Sequence, residues 1–389
     1  MILRIAWKNF IGQGMRAVLN TLVTALTLIA VVFNISMYNG FQGQVTRNMV
    51  RTDVAGGHYR MKDFDILSPT QWEDYTFTVP DKIRDAPPNE RAEVLVLQGQ
   101  IFPKRRLFPV QLRGIAMDQS LIDLPLDKLR ELGPEIGEKV AVVIGQKMAD
   151  KAHLNVGDTV VMKWRDKYGV VDARDAFVAD VVPIINPRID DGLIWLRLDH
   201  LRQLTSRPNE VSWVAVNGDR GPIESLEFLS QEELMQDILN LIEHDRRYSK
   251  IMWVILIFLA GIGVFNTQIL NIFKRQKEIG TLMALGMTPR QLVRLFTLEG
   301  SLAALVSVTV ALVLGTLIFS WFQSVGLDIS HLRETSIPVN ERILLEIRPL
   351  EVLWSTVVIV SIMILVSWIP VRKISRLDPT LALRGKGIT

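Results

Sequence analysis

Four stretches of the chain stay apolar for about 20 residues, the length a helix needs to cross a hydrocarbon core of roughly 30 Å. They run from Ala17 to Phe41, Ile251 to Phe273, Leu298 to Phe322 and Val352 to Ile369. Between the first two the pattern changes to short runs of Val, Ile and Leu broken by Gly, Pro and Asp. From Arg91 to Gly218 the runs AEVLVLQGQIF, FPVQLRGIAM, VAVVIG, DTVVMKW, FVADVVPII, LIWLRL and VSWVAV read as strands, with short helices near Gln146 to Ala152 and Asp199 to Leu204. This predicts an α+β domain with a mainly antiparallel sheet.

The flanks of that domain are helical in pattern. Ser230-Gln231-Glu232-Glu233 is a capping box, and Leu234, Ile238, Leu241 and Ile242 follow at helical spacing with no breaker before the second span. A single helix from Gln231 to Phe273 would be about 65 Å long, roughly twice the hydrocarbon thickness. Phe41, Val45 and Met49 extend the first span in the same way. Two stiff stalks are expected to carry the domain, the plainer alternative being that they are linkers.

Basic residues orient the spans. Arg4, Lys8 and Arg16 precede the first; Lys274, Arg275, Lys277, Arg290 and Arg294 lie between the second and third; Arg372, Lys373, Arg376, Arg384 and Lys386 follow the fourth. The positive-inside rule places all three groups in the cytoplasm. Leu3, Trp7, Phe10 and Ile11 form one face of a short N-terminal helix, opposite Arg4 and Lys8, as expected of a helix in the interface. The first span is long for a signal peptide and no small-x-small site follows it, so it is expected to remain. The expected layout is an interfacial helix (1–16), a first span (17–41), an extracytoplasmic domain on helical stalks (42–250) and a second span (251–273). A cytoplasmic elbow (274–297), a third span (298–322), an outer loop (323–351), a fourth span (352–369) and a cytoplasmic tail (370–389) complete it. The fold class is a membrane α-helical protein with four transmembrane helices, both termini cytoplasmic, and a large α+β extracytoplasmic domain between helices 1 and 2.

Composition agrees with spans joined to a soluble part. Of 389 residues 49% are hydrophobic and 22% charged, with a mean hydropathy of +0.24. A net charge of +3 without a basic, aromatic-interleaved stripe gives no case for nucleic acid. The absence of cysteine excludes disulfides, thiolate metal sites and a cysteine nucleophile. None of the spans carries an ionisable residue in its middle, which argues against an ion channel or a proton-coupled transporter. No G-x-x-x-x-G-K-[ST], H-E-x-x-H or G-x-S-x-G occurs, and the five histidines lack metal-ligand spacing. No metal site, no cofactor and no enzyme activity are expected of this chain. Asp190 and Asp191 before Gly192 read as a turn rather than a cation site.

One segment asks for a partner. After Lys274, Arg275 and Lys277 a short helix presents Ile279, Leu282, Met283 and Leu285 as an apolar face. Gly286 suits the position that ends a helix, Thr288 is an N-cap, Pro289 fits the first helical turn, and Gln291 completes a capping box. A stop and restart of this kind makes a compact elbow, suited to docking in another protein's groove with the apolar face inserted, or to packing on its own bundle.

KEIGTLMALGMTPRQLVRLFTLEG, from Lys277 to Gly300, resembles the coupling segment of FtsX/MacB-type ABC transporter permeases, a family that includes the lipoprotein-releasing permeases LolC and LolE. NISMYNGFQGQVTRNM, VQLRGIAMDQ, VVIGQKMADKAHLNVGDTVVM, FVADVVPIINPRIDDGLIWLRLDHLRQL and IPVRKISRLDPTLALRG resemble further parts of that family, in order along nearly the whole chain. The resemblance implies a bacterial inner-membrane protein, a second permease as homo- or heterodimer partner, and a cytoplasmic ATPase dimer that binds ATP and Mg. It implies mechanotransmission, in which ATPase closure is passed up the stalks. The docking elbow then runs from Lys277 to Gln291, centred on Glu278, Ile279, Gly280, Leu285 and Gly286. The expected function is extraction of lipoproteins or similar amphiphiles from the outer leaflet. An FtsX-like relay activating a cell-wall hydrolase and a MacB-like efflux permease with a periplasmic adaptor are the alternatives. Leu26, Ile29, Val32 and Phe33 on the first span, with Trp253, Ile257, Leu259 and Phe265 on the second, are candidates to line an acyl-chain vestibule, or equally to face lipid or pack. One stretch departs from the LolC-like pattern. KWRDKYGVVDARDAF, from Lys163 to Phe177, is short, charged and free of Pro where those proteins have a long hook that engages a periplasmic carrier.

Overall fold

The computed structural model describes residues 2–66, 68, 72–183, 192–328 and 342–372. The chain divides into two units. One comprises Met1–Phe41, Ile242–Leu327 and Ile343–Thr389, the other Gln42–Leu241 and Asp328–Arg342. The chain opens with α1 (Ile2–Gly12) and, after a turn at Gln13 and Gly14, α2 (Met15–Met49). α1 exposes Leu3, Trp7 and Ile11 but buries Ala6 and Phe10. Phe10 therefore leaves the predicted interfacial face: a helical repeat of 3.6 turns it toward the bundle while Trp7 and Ile11 stay outside. α2 remains helical past the first span, as the spacing of Phe41, Val45 and Met49 predicted, and Val45 and Met49 are buried. It ends in a single π-helical turn at Val50–Val54.

The second unit holds β1 (Gly57–Met61), β2 (Phe77–Thr78), α3 (Asp81–Arg84), β3 (Arg91–Ile101), β4 (Phe108–Ile115), α4 (Asp127–Leu132), β5 (Glu135–Ile136) and β6 (Lys139–Gly145). After these come α5 (Gln146–Ala152), β7 (Thr159–Arg165), β8 (Val171–Val182), β9 (Leu193–Arg197), α6 (Leu198–Leu204), β10 (Glu210–Val211), β11 (Trp213–Val216) and β12 (Leu226–Ser230). Ten of the strands form one sheet in the order β12-β1-β11-β3-β4-β9-β6-β8-β7, with β5 on β6. β3 also pairs with β7, from Gly99 opposite Trp164 to Ile101 opposite Met162, so β3, β4, β9, β6, β8 and β7 close into a ring. All six strands give residues to one core, among them Leu95, Leu112, Val142, Met162, Val178 and Ile194. Val94, Val96, Val143, Trp195 and Trp213 point to the opposite face and pack with Ile122, Leu126 and Leu129. Adjacent residues of β3 thus serve two different cores, as the two-residue repeat of a strand requires.

Pairing is mainly antiparallel, with β4–β9 and β6–β8 parallel. The sheet reaches beyond the predicted bounds of 91 and 218, because β1 and β12 pair with each other and join it through β11. The charged stretch from Lys163 to Phe177 is a hairpin. β8 begins at Val171, earlier than expected, since residues 171–177 complete the ladder with β7.

α7 (Gln231–Lys274) is one helix of 44 residues, about 66 Å long at 1.5 Å per residue. Its capping box forms as read: the Ser230 N–H donates to Glu233 Oε2 (2.8 Å) and the Glu233 N–H to Ser230 Oγ (3.3 Å). α8 (Gln276–Ala284), α9 (Pro289–Val325), the short strands β13 (Leu327–Asp328) and β14 (Arg342–Ile343), and α10 (Pro349–Val371) follow. α2, α7, α9 and α10 are long and apolar enough to cross a membrane. They share a core of mostly small or branched residues: Ala25, Ile29 and Val32 of α2, Ala260 and Val264 of α7, Ala304 and Ala311 of α9, and Ile359 and Met363 of α10. Small residues let such helices approach closely where lipid removes the hydrophobic drive. The basic tail beyond Arg372, the Arg16 side chain and the Asp190-Asp191 pair lie outside the described residues.

Candidate functional site

The elbow is built by local chemistry at both ends of α8. α7 stops at Lys274, where Arg275 leaves helical geometry (φ −105°, ψ 17°). α8 ends in a left-handed turn: Gly286 has φ +97°, its N–H donates to the Met283 carbonyl (3.0 Å), and the Met287 N–H donates to the Leu282 carbonyl (3.0 Å). These paired bonds satisfy carbonyls that a helix end leaves open, and the positive φ favours glycine. Thr288 then caps α9, its Oγ1 accepting from the Gln291 N–H (3.4 Å) while Gln291 Oε1 accepts from the Thr288 N–H (2.8 Å). Pro289 occupies the first turn, where its missing N–H costs nothing.

Ile279, Leu282 and Met283 of the predicted apolar face turn toward the bundle, the packing alternative, and not outward as an inserted surface; Leu285 alone of the four stays outside. Ile279 is 0% exposed and packs with Ile272 of α7, Leu292 and Phe296 of α9 and Val371 of α10, while Leu282 and Met283 lie half-buried against the same cluster. Gly280 is buried too. An amphipathic helix within reach of its own bundle buries its stripe there first. The outward face consists of Lys277, Glu278, Thr281, Leu285, Gly286, Thr288 and Gln291, with Pro289 half-buried. Leu285, 78% exposed, is the one large apolar side chain on it.

Beneath the elbow lies a polar knot that was not foreseen. Arg275 makes a two-pronged pair with Glu278 (Nε to Oε2 2.7 Å, Nη2 to Oε1 2.6 Å). Its Nη1 reaches both oxygens of Glu299 at 3.2 Å, and its guanidinium lies 5.0 Å from the Phe296 ring centre. Glu299 is only 2% exposed and also accepts from Gln13 Nε2 (2.5 Å), whose Oε1 in turn accepts from Asn271 Nδ2 (3.1 Å). One arginine thus ties α8 to the end of α7, the start of α9 and the α1–α2 turn. The hydrogen bonds to Glu278 raise the Arg275 pKa further, and Arg275 in turn holds the Glu278 carboxyl below its ordinary range. The signal available beforehand was Glu299 itself, an acid at the edge of an apolar span, where a charge needs a partner.

Within a single chain the eight residues expected to line a vestibule in a permease dimer lie in different surroundings. Ile29 and Val32 are core residues of the bundle, and Phe33 packs on α9, 4.8 Å from Phe322 and 6.2 Å from Phe319. Trp253 donates through Nε1 to Asn34 Oδ1 (2.7 Å), which Ser249 Oγ also reaches (2.5 Å). Within the chain α2 and α7 are therefore stitched together, and Tyr38 adds a bond to the Ile242 carbonyl. Leu26 and Leu259 face outward. Ile257 and Phe265 instead border an apolar groove of about 380 Å³ between α7 and α10, with Val254, Phe258, Gly261 and Val366.

Residues 250–379 match the family model for the FtsX-like permease C-terminal domain. Over 276 residues the chain is 26% identical to an uncharacterized ABC transporter permease of Methanocaldococcus jannaschii, a match covering 65% of this chain and 64% of that protein's length. The crystal structure of the periplasmic region of MacB from Actinobacillus actinomycetemcomitans superposes on 49% of this chain and 96% of its own, at 10% identity and a TM-score of 0.31.

Proposed function

We propose that the chain, whose residues 250–379 match the FtsX-like permease C-terminal model, works as the permease subunit of an ABC transporter, moved by a separate cytoplasmic ATPase that docks on the elbow. The observation that carries this reading is the way α8 is held. Its inner face is locked to α7 and α9 by Ile279 and Arg275, and its outer face is open. A partner pressing on that open face displaces α7 and α9 as one body instead of peeling α8 away. α7 has no helix break for 44 residues, so displacement at Lys274 is carried along a rod to Gln231. The basic residues around the elbow support its placement in the cytoplasm, with the sheet unit on the far side of a bacterial inner membrane. ATP and Mg belong to the partner, since the chain has no phosphate-binding loop of its own.

For the cargo, the reading is extraction of lipoproteins or similar amphiphiles by a dimer of permeases. The apolar groove between α7 and α10 is of a size and character to receive part of an acyl chain. A signal relay that moves no substrate is favoured by a different observation, the hydrogen-bonded seam between α2 and α7. The charged hairpin from Lys163 to Phe177 in place of a hook leaves the carrier or adaptor unassigned.

Co-purification with the ATPase, followed by mass spectrometry of what elutes, separates these readings. A bound acylated protein supports extraction; a soluble hydrolase without lipid supports the relay. Leu285→Asp tests the docking face directly, and should abolish ATPase association while leaving the permease's melting temperature unchanged. Normal assembly of this variant would refute the assignment.

A further inference from the structure

α1 packs on α9 with Ala6 and Phe10 buried, and it exposes two adjoining strips. Leu3, Trp7 and Ile11, each four residues on from the last, form an exposed apolar strip. Arg4 and Lys8 are exposed as well, each about 100° further round the helix than the apolar residue before it. The apolar strip does not end with α1. Across the turn it continues as Met15, Val18, Leu19 and Leu22 of α2, a helix long and apolar enough to cross a membrane. Lipid that covers α2 therefore meets α1, and a tryptophan beside cations suits the level of the headgroups. The counter-charge for Arg4 and Lys8 has to come from that level. Glu278 and Glu299, the acids at this end of the bundle, are held by Arg275, and residues 373–389 bring four cations against the single acid Asp378.

α1 is also joined to the elbow. The turn after it is closed by the Gln13 N–H donating to the Phe10 carbonyl (3.2 Å) and the Gly14 N–H to the Ile11 carbonyl (3.1 Å). From that turn the Gln13 side chain donates to Glu299 and accepts from Asn271. Glu299 is the carboxylate through which Arg275 ties the base of α8 to α9. A shift of α1 is thus a shift of one donor on Glu299. We propose that α1 binds the headgroups of anionic phospholipids through Arg4 and Lys8, and that Gln13 passes this hold to α8, so that the elbow stiffens with the charge of the membrane surface. α8 is held or loosened in this way whether or not a motor docks on it.

The test compares the full chain in nanodiscs of phosphatidylcholine alone with nanodiscs of equal parts phosphatidylcholine and phosphatidylglycerol, by hydrogen–deuterium exchange of the peptides covering Ile2–Gly12 and Gln276–Ala284. Each cation near an anionic bilayer favours binding about fivefold, so both peptides should exchange at least about fivefold more slowly in the anionic discs. Arg4→Gln combined with Lys8→Gln changes only exposed side chains and should erase the difference in both peptides. Arg4→Lys with Lys8→Arg keeps the charge and should preserve it. Gln13→Ala should leave the response of α1 in place and abolish that of α8. Equal exchange of either peptide in the two kinds of disc, a difference that survives loss of both cations, or an elbow response that survives Gln13→Ala would overturn the proposal.

Discussion

Replacing Arg275 with alanine releases the elbow from the bundle. The largest loss is at Glu299, 2% exposed, since removing one partner of a buried ion pair costs about 3–5 kcal/mol. The pair with Glu278, which is 51% exposed, adds at most about 0.5–1 kcal/mol after solvent screening. Contact with the Phe296 ring adds about as much again. Gln13 still donates to Glu299, and the orphaned carboxyl can take up a proton. Both trim the sum toward the lower bound of about 3 kcal/mol. If α8 opens locally, that figure corresponds to amide exchange roughly 150-fold faster. Hydrogen–deuterium exchange of the peptide covering Gln276–Ala284, in the full chain, reads it directly. Adding Glu299→Gln to Arg275→Ala should restore much of the protection, because no buried carboxylate is then left unpaired, giving a coupling of about 2 kcal/mol. Exchange within threefold of the wild type, or strictly additive single changes, would refute the clamp.

Gly286→Ala should lower elbow stability by about 1–2 kcal/mol through left-handed strain alone, since a Cβ there meets no atom within 4 Å; thermal unfolding measures it. Gly300→Ala should cost about 1–3 kcal/mol by overpacking, because its Cβ would fall 1.9 Å from Ser367 Oγ; Ser367→Gly in the same chain should recover most of it. Burial lowers the His58 and His200 imidazoles from their ordinary 6.5, favouring the neutral form of each in the folded sheet unit. The unfolded chain then binds more protons below that value, and stability, full above it, should fall as pH drops through 6.5. Melting temperatures at pH 7.5 and 5.5 should show this loss, and His58→Gln should flatten it.

The spans and both capping boxes were legible because each is a local pattern: a run of apolar residues, or a hydroxyl three positions before Glu or Gln. What joins distant positions was not. The pairing of Gly99 with Trp164 that closes the ring has no signature in either strand. β1 and β12 were missed because each is five residues long and acquires its place only by distant pairing, β1 with β11 and β12, and β12 with β1. At the elbow, the amphipathic pattern identified Ile279 as apolar but said nothing about whose surface would cover it. Arg275 read as one more cytoplasmic cation, and only the fold brings it to Glu299.

The inward turn of α8 changes what kind of interface the elbow can make. Had Ile279, Leu282 and Met283 been the docking surface, each engagement would require prising a fully buried isoleucine from its cluster, at about 1.5–3 kcal/mol for that side chain alone. On the proposed reading, in which a separate ATPase binds and shifts the chain in every cycle, nothing is gained from such a step. An outer face of Lys277, Glu278, Thr281 and Gln291 around a single exposed leucine offers a different solution: one apolar anchor inside a polar rim, the arrangement in which a few residues dominate binding. Rigidity then matters more than affinity. Displacement applied at Leu285 reaches α7 and α9 only as far as α8 resists rotating on its own axis. The side chains that oppose that rotation are Ile279 within the apolar cluster and Arg275 across Glu278 and Glu299. Buried ion pairs contribute little net stability but fix geometry when both partners are present, and geometry is what a coupling joint must preserve.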